Sequence, residues 1–324
     1  GGGRGAARVR VHDVTARDGL QNEPTVLTPA AKLRLVRRLA ASQPASLEVC
    51  SFVREDLVPA MAGAAQLCDA LRGAEWAREA RSAGMRFAGL VPNAKGYEAF
   101  RRASLGPRDS ERALDTVVCL VSCTDTHSQK NVKMPFERAL EVTRSVIEQA
   151  VRDGFNVRAY ASMAFVCPFE GLVPHARAAH VARALGEADP NAIVVLADTL
   201  GSALPEDVDA RLAHVLAQAG LPASRIGMHM HNAHLRAAEN IAVGAEHGIE
   251  HFDGATGGAG GCNFVPDAKG NISTQQLLAV ADALGLPHGM DRTTLDQAAM
   301  LLEEQLGRPL DNEYALPERL AQAI

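Results

Sequence analysis

The chain of 324 residues lacks several features that would place it in a large class of proteins. No run approaches the roughly 20 apolar residues of a membrane-spanning helix. No Lys/Arg stripe is large enough for a nucleic-acid phosphate footprint, and the net charge is −5. The opening stretch, GGGRGAARVRV, has no apolar signal-peptide core. We therefore expect no membrane or nucleic-acid partner, no secretion, and a short flexible leader at residues 1–7.

CxxC pairs and the usual nucleotide-binding motifs are also missing. The chain has no CxxC pair, no GxxxxGK[ST] motif, and no GxGxxG after its first β-rich stretch. Scattered cysteines are typical of reduced thiols in a cytoplasmic enzyme, and most should be small buried residues. We expect core packing for Cys167. The six are Cys50, Cys68, Cys119, Cys123, Cys167 and Cys262.

What the sequence does contain is a regular alternation of β-rich and helical segments. A composition of 47% hydrophobic and 22% charged residues is ordinary for a soluble globular protein. Eight short β-rich stretches recur, with room for one helix between neighbours. They are Arg8–Val14, Ser46–Ser51, Met85–Val91, Thr116–Ser122, Asn156–Met163, Ala192–Ala197, Arg225–His231 and Glu250–Ala255.

Helical apolar patterns fill most of the intervals. Residues 30–41 and 136–151 each place their aliphatic side chains on one face, and acids follow Pro205 at a helix start. Eight repeats of strand and helix predict a (β/α)8 TIM barrel in the α/β class over residues 1–290, with a C-terminal helical extension over 291–324 packed on it. A doubly wound open sheet is the alternative.

Polar residues follow the predicted strands, where the catalytic groups of such barrels lie. Arg17 and Asp18 stand in the stretch TARDGLQNEP directly after the first strand. Glu48 lies in the second strand. Asp198, with Thr199, ends the sixth; an acid there is more often functional, although it could also cap a short turn.

Two further segments carry candidate ligands, each with an alternative reading. His229 and His231, two apart on one strand, point to the same side and could bind a metal or be buried, hydrogen-bonded histidines. Asn271 could be a site residue or the N-cap of the helix after it. The glycine-rich segment 254–261 can adopt unusual dihedrals and carries Cys262, or it is a plain flexible loop.

Eight ordered motifs over residues 8–290 make the chain resemble the 3-hydroxy-3-methylglutaryl-CoA lyases, a group of divalent-metal barrel lyases. The motifs are RDGLQNE, SFV followed by VPAM, PNAKG, QKN, CPFEG, LADTLG, HMH, and GGAGGC followed by GN.

The resemblance implies a role for each matching residue. It implies Asp18, His229, His231 and Asn271 as metal ligands, and their mixed nitrogen and oxygen donors suit Mg²⁺ or Mn²⁺. It implies Arg17 as the group that steadies a developing enolate oxygen, and Cys262 as a loop thiol that assists proton transfer. Glu48 and Asp198 are supporting acids, and Asp13 stands where the family usually has glutamate. The predicted catalytic set is Arg17, Asp18, Cys262, Glu48, Asp198 and His229.

The chain departs from the family pattern at several positions around the chemistry. An acid, Asp56, followed by Leu57, replaces a lysine and a tryptophan, and would repel a CoA phosphate. Gln275 replaces a glutamate. The other departures are Asn232-Ala233-His234-Leu235 after the second histidine, Asn263-Phe264 after the loop cysteine, and Thr124-Asp125-Thr126-His127 after the fourth strand.

We therefore predict the reaction class more firmly than the substrate. The first hypothesis is cleavage of a 3-hydroxy-3-methylglutaryl-CoA-like thioester to acetyl-CoA and a keto acid. The alternatives are a related lyase or aldolase on another branched 3-hydroxy acid or its thioester, a condensing enzyme, and a non-catalytic metal-binding barrel. The resemblance also suggests a homodimer.

Overall fold

The computed structural model describes residues 7–106, 112–261, 270–310 and 315–321, apart from the side chain of residue 319. Eight parallel strands form a closed barrel, and a short antiparallel hairpin, β6–β7, follows the fifth. The strands are β1 Arg10–Asp13, β2 Ser46–Ser51, β3 Arg86–Leu90, β4 Thr116–Ser122, β5 Asn156–Ser162, β6 Val166–Cys167, β7 Gly171–Leu172, β8 Ile193–Asp198, β9 Ile226–Met230 and β10 His251–Gly254.

Barrel closure confirms the predicted fold and excludes the open sheet. The first strand pairs with the last, with Val11 opposite Phe252. Each of the eight predicted stretches overlaps one barrel strand, with ends that shift by up to two residues. Within the described residues, no helix combines the length and apolarity needed to cross a bilayer.

Helices surround the barrel. They are α1 Pro29–Ala41, α2 Ala64–Gly73, α3 Glu75–Ser82, α4 Ala94–Ser104, α5 Asp125–Val132, α6 Phe136–Arg152, α7 His175–Ala188, α8 Pro205–Gln218, α9 Ala237–Glu246, α10 Thr274–Ala283, α11 Arg292–Leu306 and α12 Glu318–Ala321. Helix α1 shows how local sequence sets the bounds: Thr28 accepts a hydrogen bond from the Ala31 amide, and Pro29 occupies the first turn.

The predicted C-terminal helical segment is present and packs against the barrel's outer layer. Helix α11 lies on α1, where Gln305 Nε2 donates to the Ala31 carbonyl at 3.1 Å. Leu295 and Leu302 of α11 are fully buried. The division into two domains at residue 290 stays a prediction.

The barrel interior combines a small apolar cluster with buried charges. Alternate residues of a strand point inward. The apolar layer consists of Ala88, Leu90, Val118, Tyr160, Val195 and Ala197. Charged side chains with at most 4% exposure lie in β2, β5 and β10, notably Glu48, Arg158 and Asp253. Charges are seldom buried without partners, so these groups are expected to pair with other polar side chains.

Candidate active site

Three potential metal ligands converge at the carboxyl end of the barrel. Asp18 lies in a π-helical turn, Thr15–Gly19, just after β1, while His229 is the penultimate residue of β9 and His231 directly follows the strand. The Nε2 atoms of His229 and His231 lie 4.0 and 3.8 Å from Asp18 Oδ2. These separations exceed a hydrogen bond and suit donor atoms that face a shared cation. The ligand atoms all lie within 4.8 Å of one another.

Asn271 joins this group, and the structure excludes its alternative role. Its Nδ2 donates to Asp18 Oδ2 at 2.8 Å and to the Ala259 carbonyl at 3.2 Å. The N-cap of α10 is Ser273, whose hydroxyl accepts from the Gln276 amide. The N-cap reading of Asn271 is therefore wrong, because the helix begins two residues further on. Two imidazoles, a carboxylate and an amide form a mixed N/O donor set that fits a divalent cation.

Arg17 is held rigidly beside these ligands by two acids. Its Nε and Nη2 donate to Glu48 Oε1 and Oε2 at 2.8 and 3.0 Å. Its Nη1 donates to Asp18 Oδ1 at 2.5 Å. Burial alone would lower the pKa of Arg17, but Glu48 and Asp18 raise it above its usual value. Glu48 thus positions the guanidinium, which stays charged.

The surroundings of the ligand group keep Asp18 ionised and His231 neutral. Burial raises the pKa of Asp18, but Arg17, His229 and His231 together lower it far below its usual value. Burial and the neighbouring His229 lower the pKa of His231 to about 4. An ionised carboxylate and a neutral imidazole are the forms that bind metal.

A buried acid that the sequence reasoning missed orients His229. Asp253 Oδ2 lies 3.0 Å from His229 Nδ1, which leaves Nε2 facing Asp18. Asp253 also accepts from Arg158 Nη2 and the Tyr160 hydroxyl, each at 2.6 Å. Such a partner fixes the tautomer and ring plane of a ligating histidine. The available signal was the inward alternation of Arg158 and Tyr160 on β5 and of His251 and Asp253 on β10.

Two other acids support loops at the site. Asp198 accepts hydrogen bonds from the Gly201 and Ala203 amides at 3.1 and 2.9 Å, and burial raises its pKa to about 6. This geometry favours the turn-capping alternative for Asp198. Asp13 accepts from the Thr15 amide and the Thr256 hydroxyl, and burial raises its pKa to about 6 as well.

The glycine-rich segment packs directly against the ligand group. Gly257, Gly258 and Gly260 have positive φ, as expected for a segment with unusual dihedrals. A Cβ at Gly260 would lie 3.0 Å from Asn271 Nδ2, so the close approach requires glycine. Cys262, together with Asn263 and Phe264, lies outside the described residues. Cys167 is buried and its Sγ accepts from the Thr124 hydroxyl, which confirms core packing.

The departures from the family pattern have local partners. Asp56 is exposed and pairs with Arg54 at 2.5 Å, so its charge is largely offset. Gln275 Oε1 accepts from the Gly257 amide and thereby holds the glycine-rich segment. Asn232 accepts from the Ala237 amide and donates to Gln276 Oε1. His127 is buried in α5 and stacks on Phe169.

Comparison with known proteins identifies the family of the chain. The HMGL-like family model matches residues 8–302. The chain is 36% identical to the (R)-citramalyl-CoA lyase of Chloroflexus aurantiacus, over 93% of this chain and 92% of that one. It is 32% identical to the hydroxymethylglutaryl-CoA lyase of Pseudomonas mevalonii, over 92% and 93%. The solved HMG-CoA lyase of Brucella melitensis superposes with a TM-score of 0.83 at 33% identity, covering 93% of this chain and 100% of that one. This chain therefore belongs to the HMGL-like family, and it is a lyase.

Proposed function

We propose that this lyase cleaves a carbon–carbon bond in a 3-hydroxyacyl-CoA thioester, releasing acetyl-CoA and a keto acid, with Mg²⁺ or Mn²⁺ as cofactor. The observation that carries the proposal is the convergence of Asp18, His229 and His231 beside a buried Arg17. Asp18, His229, His231 and Asn271 would hold the metal. When bound, the ion would supply Lewis-acid polarisation and lower the pKa of the substrate hydroxyl.

Arg17 supports the proposal because its contacts with Glu48 and Asp18 do not use all of its N–H donors. An arginine has five N–H groups, and the contacts with Glu48 and Asp18 use three of them. The remaining two can offset negative charge on the thioester oxygen as the bond breaks and an enolate forms. The enolate carbon must then take up a proton, for which Cys262 is the predicted acid.

The acyl group is the open part of the proposal. The family resemblance favours a 3-hydroxy-3-methylglutaryl thioester. A second candidate is a citramalyl thioester, which is favoured by the 36% identity to a lyase of that name. The two substrates differ by one methylene between the carbinol carbon and the free carboxylate. They would yield acetoacetate and pyruvate, respectively.

The test is incubation of the Mg²⁺- or Mn²⁺-loaded protein with each thioester, followed by specific assay of acetoacetate and pyruvate. We expect one of the two keto acids to form in a metal-dependent reaction. His231→Ala should abolish turnover because it removes a ligand. A protein that binds metal but cleaves neither thioester, nor other branched 3-hydroxyacyl thioesters, would contradict the proposal and favour a binding barrel.

The oligomeric state stays a prediction. The family resemblance suggests a homodimer, and light scattering after size-exclusion chromatography would test it.

A further inference from the structure

The amino end of the barrel, opposite the ligand group, encloses a cavity of about 1130 Å³. The first residues of seven of the eight barrel strands line it: Arg10, Ser46, Arg86, Thr116, Asn156, Ile193 and His251. Asp18 and the two histidines lie at the carboxyl ends of β1 and β9, so the cavity lies on the other face. Its volume reaches that of pockets that enclose small organic ligands.

The charged side chains that line the cavity are mainly cationic. Glu250 is the one acid among the described residues that line it, and it lies 3.3 Å from Arg10 Nε. The basic side chains come from β1, β3, β5, β10 and segments beside them. They are Arg8, Arg10, His12, Arg86, Arg158, His251 and His288. A concave surface with an excess of positive charge raises the local concentration of anions.

Arg158 marks the inner end of this cavity and is only partly paired. It is 4% exposed, and its Nη2 donates to Asp253. Its Nε and Nη1 are buried and have no hydrogen-bond acceptor in the described part of the chain. Arg211 shares this feature, and each guanidinium lies over an aromatic ring, Tyr160 for Arg158 and Phe165 for Arg211, but only Arg158 lines the cavity. Unpaired buried donors are costly, and an anion would satisfy those of Arg158.

The two histidines next to Arg158, His12 and His251, lie in the same positive environment. His12 Nδ1 lies 2.5 Å from the Ser46 hydroxyl, and His12 Nε2 lies 2.8 Å from His251 Nδ1. Burial first, and then Arg158, lower the pKa of both imidazoles, that of His251 to about 3. The histidines therefore stay neutral and add donors or acceptors without adding charge.

We propose that this cavity is a second binding site that takes a phosphate group, free or carried by a small organic molecule. Arginines from β1, β3 and β5 surround the space from different sides, which suits a group with several charges better than a single carboxylate. A phosphate carries close to two negative charges at neutral pH and three acceptor oxygens. The volume leaves room for an organic body beside it. This site is independent of the lyase reaction proposed above.

The test uses inorganic phosphate and AMP as probes, titrated calorimetrically into the Mg²⁺-saturated full-length protein at constant ionic strength set with chloride. Asn191→Asp is a near-isosteric change that adds negative charge to the cavity lining, and Arg86→Gln removes positive charge. Arg138→Gln is the control, since Arg138 pairs with Glu141 on the exposed side of α6. None of these residues belongs to the ligand group.

We expect both cavity variants to raise the dissociation constant at least 10-fold and Arg138→Gln to leave it unchanged. Tighter binding of AMP than of phosphate would assign the site to an organic phosphate, and equal binding would assign it to the free anion. Equal dissociation constants in the wild type and both cavity variants would overturn the proposal, as would no binding of either probe. AMP that binds elsewhere, for example at the carboxyl end, would show equal dissociation constants in the wild type and both cavity variants, and would thus overturn the proposal.

Discussion

At the scale of single residues, one buried acid connects the two ends of the barrel interior. Asp253 accepts from His229, Arg158 and Tyr160, so it faces the ligand group on one side and the basic cavity on the other. Burial raises the pKa of Asp253, but Arg158 and His229 more than offset this and lower it. The carboxylate is therefore ionised and can hold His229 in one orientation.

Removing this charge should weaken metal binding. We expect Asp253→Asn to lower Mn²⁺ affinity by about 10- to 100-fold, because the amide no longer fixes the His229 tautomer. Calorimetric titration of the metal-free protein measures this. Asp115→Asn is the matched control: Asp115 is also buried, and it accepts from the Phe87 amide and the Thr116 hydroxyl. Equal metal affinities in the two variants would contradict the role of Asp253.

The neutral His251 should give the protein a measurable acid sensitivity. Its pKa is about 3 in the folded chain and near 6.5 when unfolded, because burial and Arg158 disfavour the charged form. Between these pKa values the unfolded chain takes up a proton at His251 and the folded chain does not. The contribution of neutral His251 to the free energy of unfolding is therefore present above pH 6.5 and is lost as the pH falls below it. This loss amounts to about 2 kcal/mol between pH 6.5 and 5.

Urea unfolding of the wild type and of His251→Gln at pH 8, 6.5 and 5, in chloride buffer, measures that contribution. Asp13 and Asp198, whose pKa values are raised to about 6, act in the opposite direction, but they are common to both proteins. The wild-type free energy of unfolding, relative to the variant, should therefore stay constant from pH 8 to 6.5 and fall by pH 5. Parallel profiles would show that His251 is not held neutral.

At the scale of elements, every barrel strand could be predicted from the sequence, and so could the candidate ligands, but not how buried side chains from different strands pair. Asp18, His229, His231 and Asn271 belong to ordered motifs, so their positions could be predicted. Asp253 and Arg158 could not be paired, because they are 95 residues apart in the chain and meet only across the closed barrel. The amino-end cavity was likewise invisible, since seven separate strand ends form it.

The start of α10 shows the same limit locally, since N-I-S-T allows either Asn271 or Ser273 to cap the helix. We expect Ser273→Ala to lower the free energy of unfolding by about 1 kcal/mol, because the Gln276 amide loses its acceptor, with little change in metal affinity. Asn271→Ala should weaken Mn²⁺ binding, with little change in the free energy of unfolding. Urea unfolding and metal titration of both variants separate the roles; a helix-cap phenotype for Asn271→Ala would contradict the assignment.

At the scale of the whole molecule, the ligand group lies across the seam where the barrel closes. Asp18 follows β1, the first strand, while His229 lies in β9, His231 directly follows it, and Asn271 follows β10, the last strand. The strands themselves pair across this seam, with Arg10 opposite His251 and Asp13 opposite Gly254. A cation held by all four residues would therefore link the beginning and the end of the barrel.

This arrangement predicts that the metal stabilises the folded barrel as well as assisting the reaction. A ligand that binds only the folded state at 100 times its dissociation constant adds about 2.7 kcal/mol. Mn²⁺ should therefore raise the thermal midpoint of the wild type by a few degrees. His231→Ala should lose this response, whereas His214→Ala, which removes an imidazole from α8, should keep it. Calorimetric scans with and without Mn²⁺ measure the thermal midpoints. An equal rise in thermal midpoint in both variants would place the stabilising ion somewhere other than the barrel seam.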